Sequence, residues 1–283
     1  MTPGKNISPE FNNESATSRP DAMSDAEYAT AFKTMAQHYF TGHHASDPPK
    51  LLYVTGLPGA GKSTYVAKAK QDDPAVQDYV HINFDDLRVY HPRYTEHVAK
   101  DPVNSAARID TAVERLIGWL TEESAERGLN VLLDDAAMGR DMTQMVLTPF
   151  SQAGYDISAV IIAVPSSIAR QDVHLRFEEN TAAAQNGAPV IPRWVNTEEQ
   201  DNAPAALIET AETLESGLAQ KITVVTRAGQ TLSGAACAAV KAEMTRELDK
   251  GERAAYADKA QRIAALSNGR TGTATPKAGK LSP

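Results

Sequence analysis

Short apolar runs alternate with amphipathic segments through the middle of the chain. The apolar runs span residues 51–55, 79–84, 130–134, 157–164 and 222–226. They are mostly continuous instead of alternating, which indicates strands covered on both faces. Between them, apolar residues recur at helical spacing, as at Ile109, Val113 and Leu116, and Ser24 and Glu27 have the capping-box spacing that opens a helix. This order predicts an α/β fold in which helices flank a parallel sheet.

The two ends of the chain differ from this middle part. Residues 1–22 are rich in Pro, Asn, Ser and Glu, and residues 267–283 are poor in apolar side chains. Such compositions bury too little apolar surface to fold, and they are typical of disordered or flexible tails. We therefore expect a disordered N-terminal tail, one folded domain over residues 23–266 and a flexible C-terminal tail.

The composition limits the classes of protein. Lys and Arg total 28 whereas Asp and Glu total 36, so the formal net charge is −8. This balance argues against a nucleic-acid partner bound by general electrostatic attraction. The single cysteine excludes an internal disulfide, and no apolar run reaches the roughly 18 residues of a membrane span. Because the N-terminus also lacks the apolar core of a signal peptide, we expect a cytoplasmic protein.

A glycine-rich loop stands between the first predicted strand and a helix. Its sequence, Gly56-Leu-Pro-Gly-Ala-Gly-Lys-Ser63, matches the phosphate-loop pattern Gly-x4-Gly-Lys-Ser/Thr in full. In such a loop, backbone N–H groups and the start of the following helix surround the β-phosphate of a nucleotide. Lys62 is expected to bridge the β- and γ-phosphates of ATP, and Ser63 to bind Mg²⁺. The predicted nucleotide-binding residues are Gly56, Pro58, Gly59, Ala60, Gly61, Lys62, Ser63 and Thr64.

Acidic residues follow the next two strands. Asp85 and Asp86 come after the second strand, where a carboxylate could orient an acceptor hydroxyl and take its proton. Strand alternation would point Asp86 the other way, so only one of the pair can serve. The alternative is that the pair only caps a helix. After the third strand, Asp134 could hold Mg²⁺, contact an acceptor or be purely structural, and the sequence leaves these readings open.

Two arginines could neutralise a transferring phosphoryl group. Arg176 lies in a predicted helix, and Arg193 follows a connection that contains Gly and Pro. An arginine on a segment that covers the phosphates commonly has this role. The alternative is an ordinary surface arginine, which the residues taken alone favour.

Taken together, these segments resemble the zeta toxin family of bacterial toxin–antitoxin systems, small P-loop kinases that phosphorylate UDP-activated amino sugars. The likeness spans about residues 24–250 and includes the phosphate loop, the strand that ends at Asp134, and residues 154–176 and 222–229. Its most distinctive part is the His-Pro-x-Tyr turn from His91 to Tyr94, six residues past Asp85.

The resemblance implies a P-loop kinase-like fold and a role for each matched residue. Asp85 would be the base that activates the sugar hydroxyl, while Lys62 and Ser63 keep their phosphate and Mg²⁺ roles. Arg176 and Arg193 fall on the two phosphate-contacting arginines of the family. ATP and Mg²⁺ would be the cofactors, and a small helical antitoxin would be the protein partner. The residues expected to face the acceptor are Asp85, Arg88, Asp134 and Arg140.

Two departures from the family pattern concern the acceptor side. Where many members have an acid followed by Gly-Thr, this chain reads Asp134-Asp135-Ala136-Ala137. An arginine expected soon afterwards is displaced to Arg140, or absent if Met138 is its counterpart. The phosphate machinery is therefore complete, whereas the identity of the acceptor is open, because the loss of a hydrogen-bonding partner in a pocket can change selectivity.

Three interpretations follow. The leading one is an ATP-dependent kinase of a UDP-sugar, above all UDP-N-acetylglucosamine, which acts as a toxin by consuming a cell-wall precursor. A second keeps the fold and takes another nucleotide as acceptor, such as the adenosine ribose of NAD. A third is a P-loop switch that transfers nothing, although the chain has no Asn-Lys-x-Asp guanine-reading motif and a switch has no need of Asp85.

Overall fold

The structure is a computed structural model that describes residues 21–101, 104–188 and 190–269. Its centre is a parallel five-stranded sheet in the order β2-β3-β1-β4-β5, which confirms the predicted α/β, P-loop kinase-like class. The strands are β1 Lys50–Gly56, β2 Val80–Asn83, β3 Val131–Ala136, β4 Asp156–Ala163 and β5 Lys221–Thr226.

Helices surround this sheet. Ten of the described helices are α-helices, and two further helical turns are a 3₁₀ helix and a π-helical turn. The α-helices are α1 Asp25–Phe40, α2 Lys62–Asp72, α3 Pro74–Gln77, α4 Tyr94–Lys100, α5 Ser105–Glu126, α6 Gly139–Gln152, α7 Ser166–Gln185, α8 Thr197–Thr213, α9 Ala236–Thr245 and α10 Lys250–Gly269; the other two turns are Phe84–Tyr90 and Leu214–Leu218. Among these described helices, none combines the length and the apolar content that a membrane crossing needs.

Strand β1 lies in the middle of the sheet. Tyr53 pairs in register with Leu133 on one side and with Ala159 on the other, and all three are fully buried or nearly so. Burial on both faces explains why the strands read as continuous apolar runs. Since all the strands are parallel, their carboxyl ends meet at one edge of the sheet, where ligands of such folds bind.

The first helix begins where its capping box predicts. Ser24 Oγ accepts a hydrogen bond from the Glu27 N–H, and Glu27 Oε2 accepts one from the Ser24 N–H at 2.7 Å. The helix packs through Tyr28 and Phe32, whose rings make T-shaped contacts with Trp119 in α5. Local capping and an apolar side together place α1 against the layer of α5.

The second strand ends earlier than its apolar run predicts. The side chain of Asn83 accepts a hydrogen bond from the Asp85 N–H at 2.9 Å and starts the 3₁₀ helix Phe84–Tyr90. Asp85 and Asp86 therefore lie in a helical turn, so strand alternation does not set the directions of their side chains as the sequence predicted. Asp86 is an electrostatic neighbour of Tyr90. Burial raises the pKa of Tyr90, and the negative charge of Asp86 adds to this shift.

The predicted tail boundaries differ slightly from the described elements. Helix α10 continues through Gly269, so residues 267–269 are helical. At the other end, the carbonyl oxygens of Asp21 and Ala22 accept hydrogen bonds from Arg93. The remainder of the two predicted tails, residues 1–20 and 270–283, lies outside the described residues.

Candidate active site

The phosphate loop runs from the carboxyl end of β1 to the start of α2, and its glycines are required by its geometry. A Cβ at Gly56 would lie 2.6 Å from the carbonyl oxygen of Ile162, and one at Gly59 would collide with the carbonyl of Ala169. Gly59 and Gly61 also have positive φ angles of 82° and 98°. Only glycine adopts this conformation without strain, so the loop can approach β4 and α7 this closely.

The N-terminus of α2 presents free amides beside Lys62. The N–H of Tyr65 is bonded to the carbonyl of Gly61, which leaves the amides of the first turn, including those of Ser63 and Thr64, without helical partners. Lys62 Nζ donates to the carbonyl oxygens of Gly56 at 3.3 Å and Leu57 at 3.2 Å. Free amides, a helix N-terminus and an ammonium group form an anion site. Ala60 is buried in this loop, Pro58 is half-buried, and Ser63 and Thr64 are exposed.

Burial lowers the pKa of Lys62, while the charges of Asp134 and Asp135 oppose this effect. Arg176 and Arg193 lower it further, so both arginines are electrostatic neighbours of the phosphate-loop lysine. The side chain of Arg176 is exposed, one turn along α7 from Asp172. The structure therefore brings Lys62 and the two predicted arginines into one positively charged group.

Asp85 lies between two guanidinium groups. Its Oδ1 accepts a hydrogen bond from Arg88 Nη1 at 2.5 Å, and its Oδ2 is ion-paired with Arg193 Nη1. Arg88 is almost buried and also donates through Nη2 to Asp110 Oδ1 at 3.0 Å. The carboxylate of Asp85 itself is 45% exposed, so it can be reached from outside. A fixed, accessible carboxylate beside a cationic phosphate site can orient an alcohol and accept its proton.

One hydrogen-bond donor of Arg193 has no acceptor in the part of the chain that the structure describes. Its Nε is buried and has no hydrogen-bond partner among the described groups. Burial raises the pKa of Glu199 in the first turn of α8, and the positive charge of Arg193 opposes this shift. The carboxylate of Glu199 is therefore an electrostatic neighbour of Arg193. An unpaired buried guanidinium nitrogen is costly unless it finds an acceptor.

Asp134 is 2% exposed at the carboxyl end of β3. Its Oδ2 accepts a hydrogen bond from Asn83 Nδ2 at 3.1 Å, while Oδ1 has no partner in the described part of the chain. Next to it, burial raises the pKa of Asp135 to about 7, and the attraction of Lys62 and Arg88 opposes the shift. Asp135 therefore adds a second carboxylate beside Asp134, in the field of Arg88.

Arg140 does not join this cluster, contrary to the expectation from the sequence. Its backbone N–H bonds Glu209 Oε2 at 3.3 Å, and its Nη2 bonds Glu212 Oε2 at 3.3 Å, both on α8. The acidic face of α8 therefore holds this arginine at the surface, where it is exposed. The charged side chains that the structure does bring near one another are Asp85, Arg88, Asp134 and Asp135.

Three residues that contact the site were not predicted from the sequence. Asp110 supports Arg88 from α5, Glu199 faces Arg193, and Arg227 donates to the phosphate-loop carbonyls from the end of β5. Asp110 and Glu199 lie in helices, where acids are common, so neither has a local pattern. Arg227 was noted only as part of a matched segment.

The chemistry of the donors fits a magnesium nucleotide. Mg²⁺ in such proteins uses few protein ligands together with phosphate oxygens and water. Ser63 Oγ and the unpaired Oδ1 of Asp134 are oxygen donors of the required kind. Within the described residues, no group of three or more His, Cys, Asp or Glu side chains could hold a metal by itself.

Known proteins resemble this chain at the level of family and of fold. The Zeta toxin family model matches residues 36–233. The structure of the PezAT chromosomal toxin–antitoxin system of Streptococcus pneumoniae is similar at 18% identity and a TM-score of 0.70, over 87% of this chain and 99% of that chain. A crystal structure of AvrRxo1-ORF1:-ORF2 with ATP is similar at 11% identity and a TM-score of 0.49, over 86% and 82% of the two chains. No protein of curated function matches this chain in sequence. Because the family match covers more than half of the chain, this protein belongs to the zeta toxin family.

Proposed function

We propose that the protein is an ATP-dependent kinase that transfers the γ-phosphoryl group to a hydroxyl of a UDP-activated amino sugar and thereby acts as a toxin. The observation that carries this proposal is the position of Asp85. Its carboxylate is paired with Arg193, and Arg193 is in turn an electrostatic neighbour of the phosphate-loop lysine Lys62. A carboxylate near the phosphate site is the group that orients an acceptor hydroxyl and takes its proton in phosphoryl transfer.

In the proposed reaction, Asp85 accepts the proton of the acceptor hydroxyl as the new oxygen–phosphorus bond forms. The bond between the γ-phosphorus and the bridging oxygen breaks, and ADP leaves with that oxygen. Lys62, Arg176 and Arg193 stabilise the charge on the transferring group. Mg²⁺, when bound, supplies further neutralisation of the phosphate oxygens, and Ser63 would be among its ligands.

Arg193 gives the proposed base a dependence on the nucleotide. While Asp85 bonds both Arg88 and Arg193, both of its carboxylate oxygens are already engaged by guanidinium groups. A triphosphate next to Lys62 competes for the guanidinium of Arg193, whose Nε is already without a partner. Release of Asp85 Oδ2 would then leave Arg88 and Asp110 to hold the base in place.

A second acceptor class is favoured by one observation on the same side. Asp135 and Ala136 replace the Gly-Thr pair of many relatives, and the additional carboxylate lies in the field of Arg88 and Lys62. A pocket with another hydrogen-bond acceptor and without the threonine hydroxyl would suit a ribose diol, as in the adenosine of NAD.

An acceptor panel tests these proposals. The protein is incubated with ATP and Mg²⁺ and with UDP-N-acetylglucosamine, other UDP-sugars, NAD or nucleosides, and products are identified by mass. A gain of one phosphate on a UDP-sugar supports the leading proposal, and a gain on NAD supports the second. ATP hydrolysis at the same rate with and without every acceptor would overturn both and favour a switch.

We also propose a small helical antitoxin as partner and the cytoplasm as the place of action. The PezAT system is described as a toxin–antitoxin system, which supports a companion chain for this relative. Purification from the native operon should yield a complex. A toxin that is recovered alone, with no loss of host growth on expression, would count against both the partner and the toxic role.

A further inference from the structure

Arg227 contacts the phosphate loop from the end of β5. It follows the last residue of β5, and its Nε donates to the carbonyl oxygen of Ala60 at 3.2 Å. Its Nη2 donates to the carbonyl oxygen of Gly59 at 2.5 Å. One guanidinium therefore bonds two consecutive peptide groups of the loop.

These bonds fix the directions of the loop amides. The C=O and N–H of a trans peptide point to opposite sides, so a carbonyl held by Arg227 turns the amide of the next residue away from it. The amide of Ala60 is bonded to the carbonyl of Leu57 at 3.0 Å, so that peptide is held at both ends. Arg227 Nε bonds the carbonyl oxygen of Ala60, which belongs to the same peptide group as the N–H of Gly61. That N–H therefore points away from Arg227 and is free to bind an anion.

Arg227 is itself held by a second layer of charges. Asp172 Oδ2, on α7, is ion-paired with Arg227 Nη1, and Asp172 Oδ1 is ion-paired with Lys259 Nζ on α10. The side chain of Asp172 is 18% exposed, so this carboxylate is shared between its two cations in a largely protected place. The side chain of Arg227 is thereby kept in the geometry that its two loop bonds need.

Helix α10 is attached to α7 mainly by polar contacts. Its one buried residue is Ile263, within the described range 250–269. Gln171 Nε2 donates to the carbonyl of Tyr256 at 2.7 Å, and Arg262 is ion-paired with Glu179 at 2.7 Å. The start of the helix is fixed separately, since Glu252 is held by Arg246 through two bonds of 2.6 Å. Most of α10 is exposed, and it lies beyond residues 36–233 of the family match.

We propose that Arg227 is a positioning residue for triphosphate binding, and that α10 supports it through Lys259 and Asp172. Arg227 acts on the phosphate loop and not on the nucleoside. Helix α10, outside the segment shared with the family, is thus part of the nucleotide site. The inference rests on the proposed function only in that the loop binds a triphosphate.

Calorimetric binding of Mg-ATP and of Mg-tripolyphosphate to the full chain tests this assignment. Arg227→Gln should weaken both ligands by about tenfold, because a charge-assisted bond to each loop carbonyl is lost. Lys259→Gln should weaken both by about two- to threefold, since it removes only the outer ion pair. Arg227→Lys, which keeps the charge but cannot bond two carbonyls and Asp172 together, should lie between wild type and Arg227→Gln.

Arg262→Gln is the matched control, because it removes an ion pair between α10 and α7 that does not involve Asp172. It should leave both affinities unchanged. Equal weakening by Arg262→Gln and Lys259→Gln would overturn the relay through Asp172. Loss of ATP affinity alone in Arg227→Gln, or no loss in a variant that still unfolds cooperatively, would overturn the positioning role. Failure of the wild-type protein to bind either ligand would instead refute the proposed function.

Discussion

Replacement of Asp85 by Asn separates the roles of charge and shape in the candidate base. Asn keeps an oxygen that can accept from Arg88, but it can neither accept a proton nor pair with Arg193. Loss of a general base lowers kcat by about 10²- to 10⁴-fold. A 100-fold loss corresponds to about 2.7 kcal/mol of barrier. We therefore expect Asp85→Asn to lose at least about 100-fold in kcat with the acceptor that the panel identifies.

The same change should have little effect on folding or on ATP binding. Asp85 is 45% exposed, and ion pairs that solvent reaches contribute only about 0–1 kcal/mol each. The free energy of unfolding should then fall by about 1 kcal/mol. Removal of a negative charge beside the triphosphate site should leave the Kd for ATP within about threefold of wild type, with any shift toward tighter binding.

The control is Asp86→Asn, which changes the adjacent acid in the same way. Asp86 is exposed, and its charge helps to raise the pKa of Tyr39 and the pKa of Tyr90. Its kcat should stay within about twofold of wild type, as is usual for a surface change. Initial rates of phosphorylated product, followed by mass at saturating ATP, supply the measurement. If Asp85→Asn keeps more than a third of the activity, or if Asp86→Asn loses as much, Asp85 is not the base.

Two further predictions concern the phosphate loop and acid stability. Gly59→Ala should abolish ATP binding in calorimetry, because the new Cβ collides with the carbonyl of Ala169. Its free energy of unfolding should fall by more than the cost of about 1–2 kcal/mol that a positive φ alone imposes on alanine. In the control Gly42→Ala, φ is similar at 86° and the new Cβ has no atom within 4 Å, so this variant should show only the conformational cost and bind ATP normally. Burial lowers the pKa of His91, whose Nδ1 accepts from the Arg93 N–H and so must stay neutral. Below about pH 6.5 the histidine of the unfolded chain gains a proton, whereas folded His91 does not. The free energy of unfolding should therefore decrease as the pH is lowered below that value, by at most about 1.4 kcal/mol per pH unit. Urea unfolding at pH 7.5 and 5.5 should show a smaller loss for His91→Gln, and an equal loss would contradict the assignment.

The phosphate loop and the strands could be predicted because their signals are local. Gly56 to Ser63 is one contiguous pattern, and a strand buried on both faces must be apolar throughout. Asp85 could be singled out because it is an acid that follows a strand, and the carboxyl ends of parallel strands lie at the same edge of the sheet as that loop. The end of β2 was missed because it depends on a side chain, Asn83, that caps the next turn instead of continuing the strand.

The rest of the site depends on contacts that no local pattern records. Arg140 was expected to face the acceptor, but the acids of α8 that bind it, Glu209 and Glu212, are about 70 positions away in sequence. The same holds for Asp110 behind Arg88 and for Arg227 on the phosphate loop. An arginine or an acid in a helix is common, so its partner becomes known only when the sheet order brings the segments together.

The distance along the chain between Gly59 and Arg227, 168 positions, has a consequence for the moment at which the protein becomes active. A ribosome releases the phosphate loop early and the strand that carries Arg227 late, and non-local pairings of this kind form only once both segments are available. A growing or prematurely ended polypeptide would therefore carry the nucleotide motif without its support. The nucleotide motif therefore gains the support of Arg227 only after the 168 positions that separate Arg227 from Gly59 have been translated and the sheet has formed.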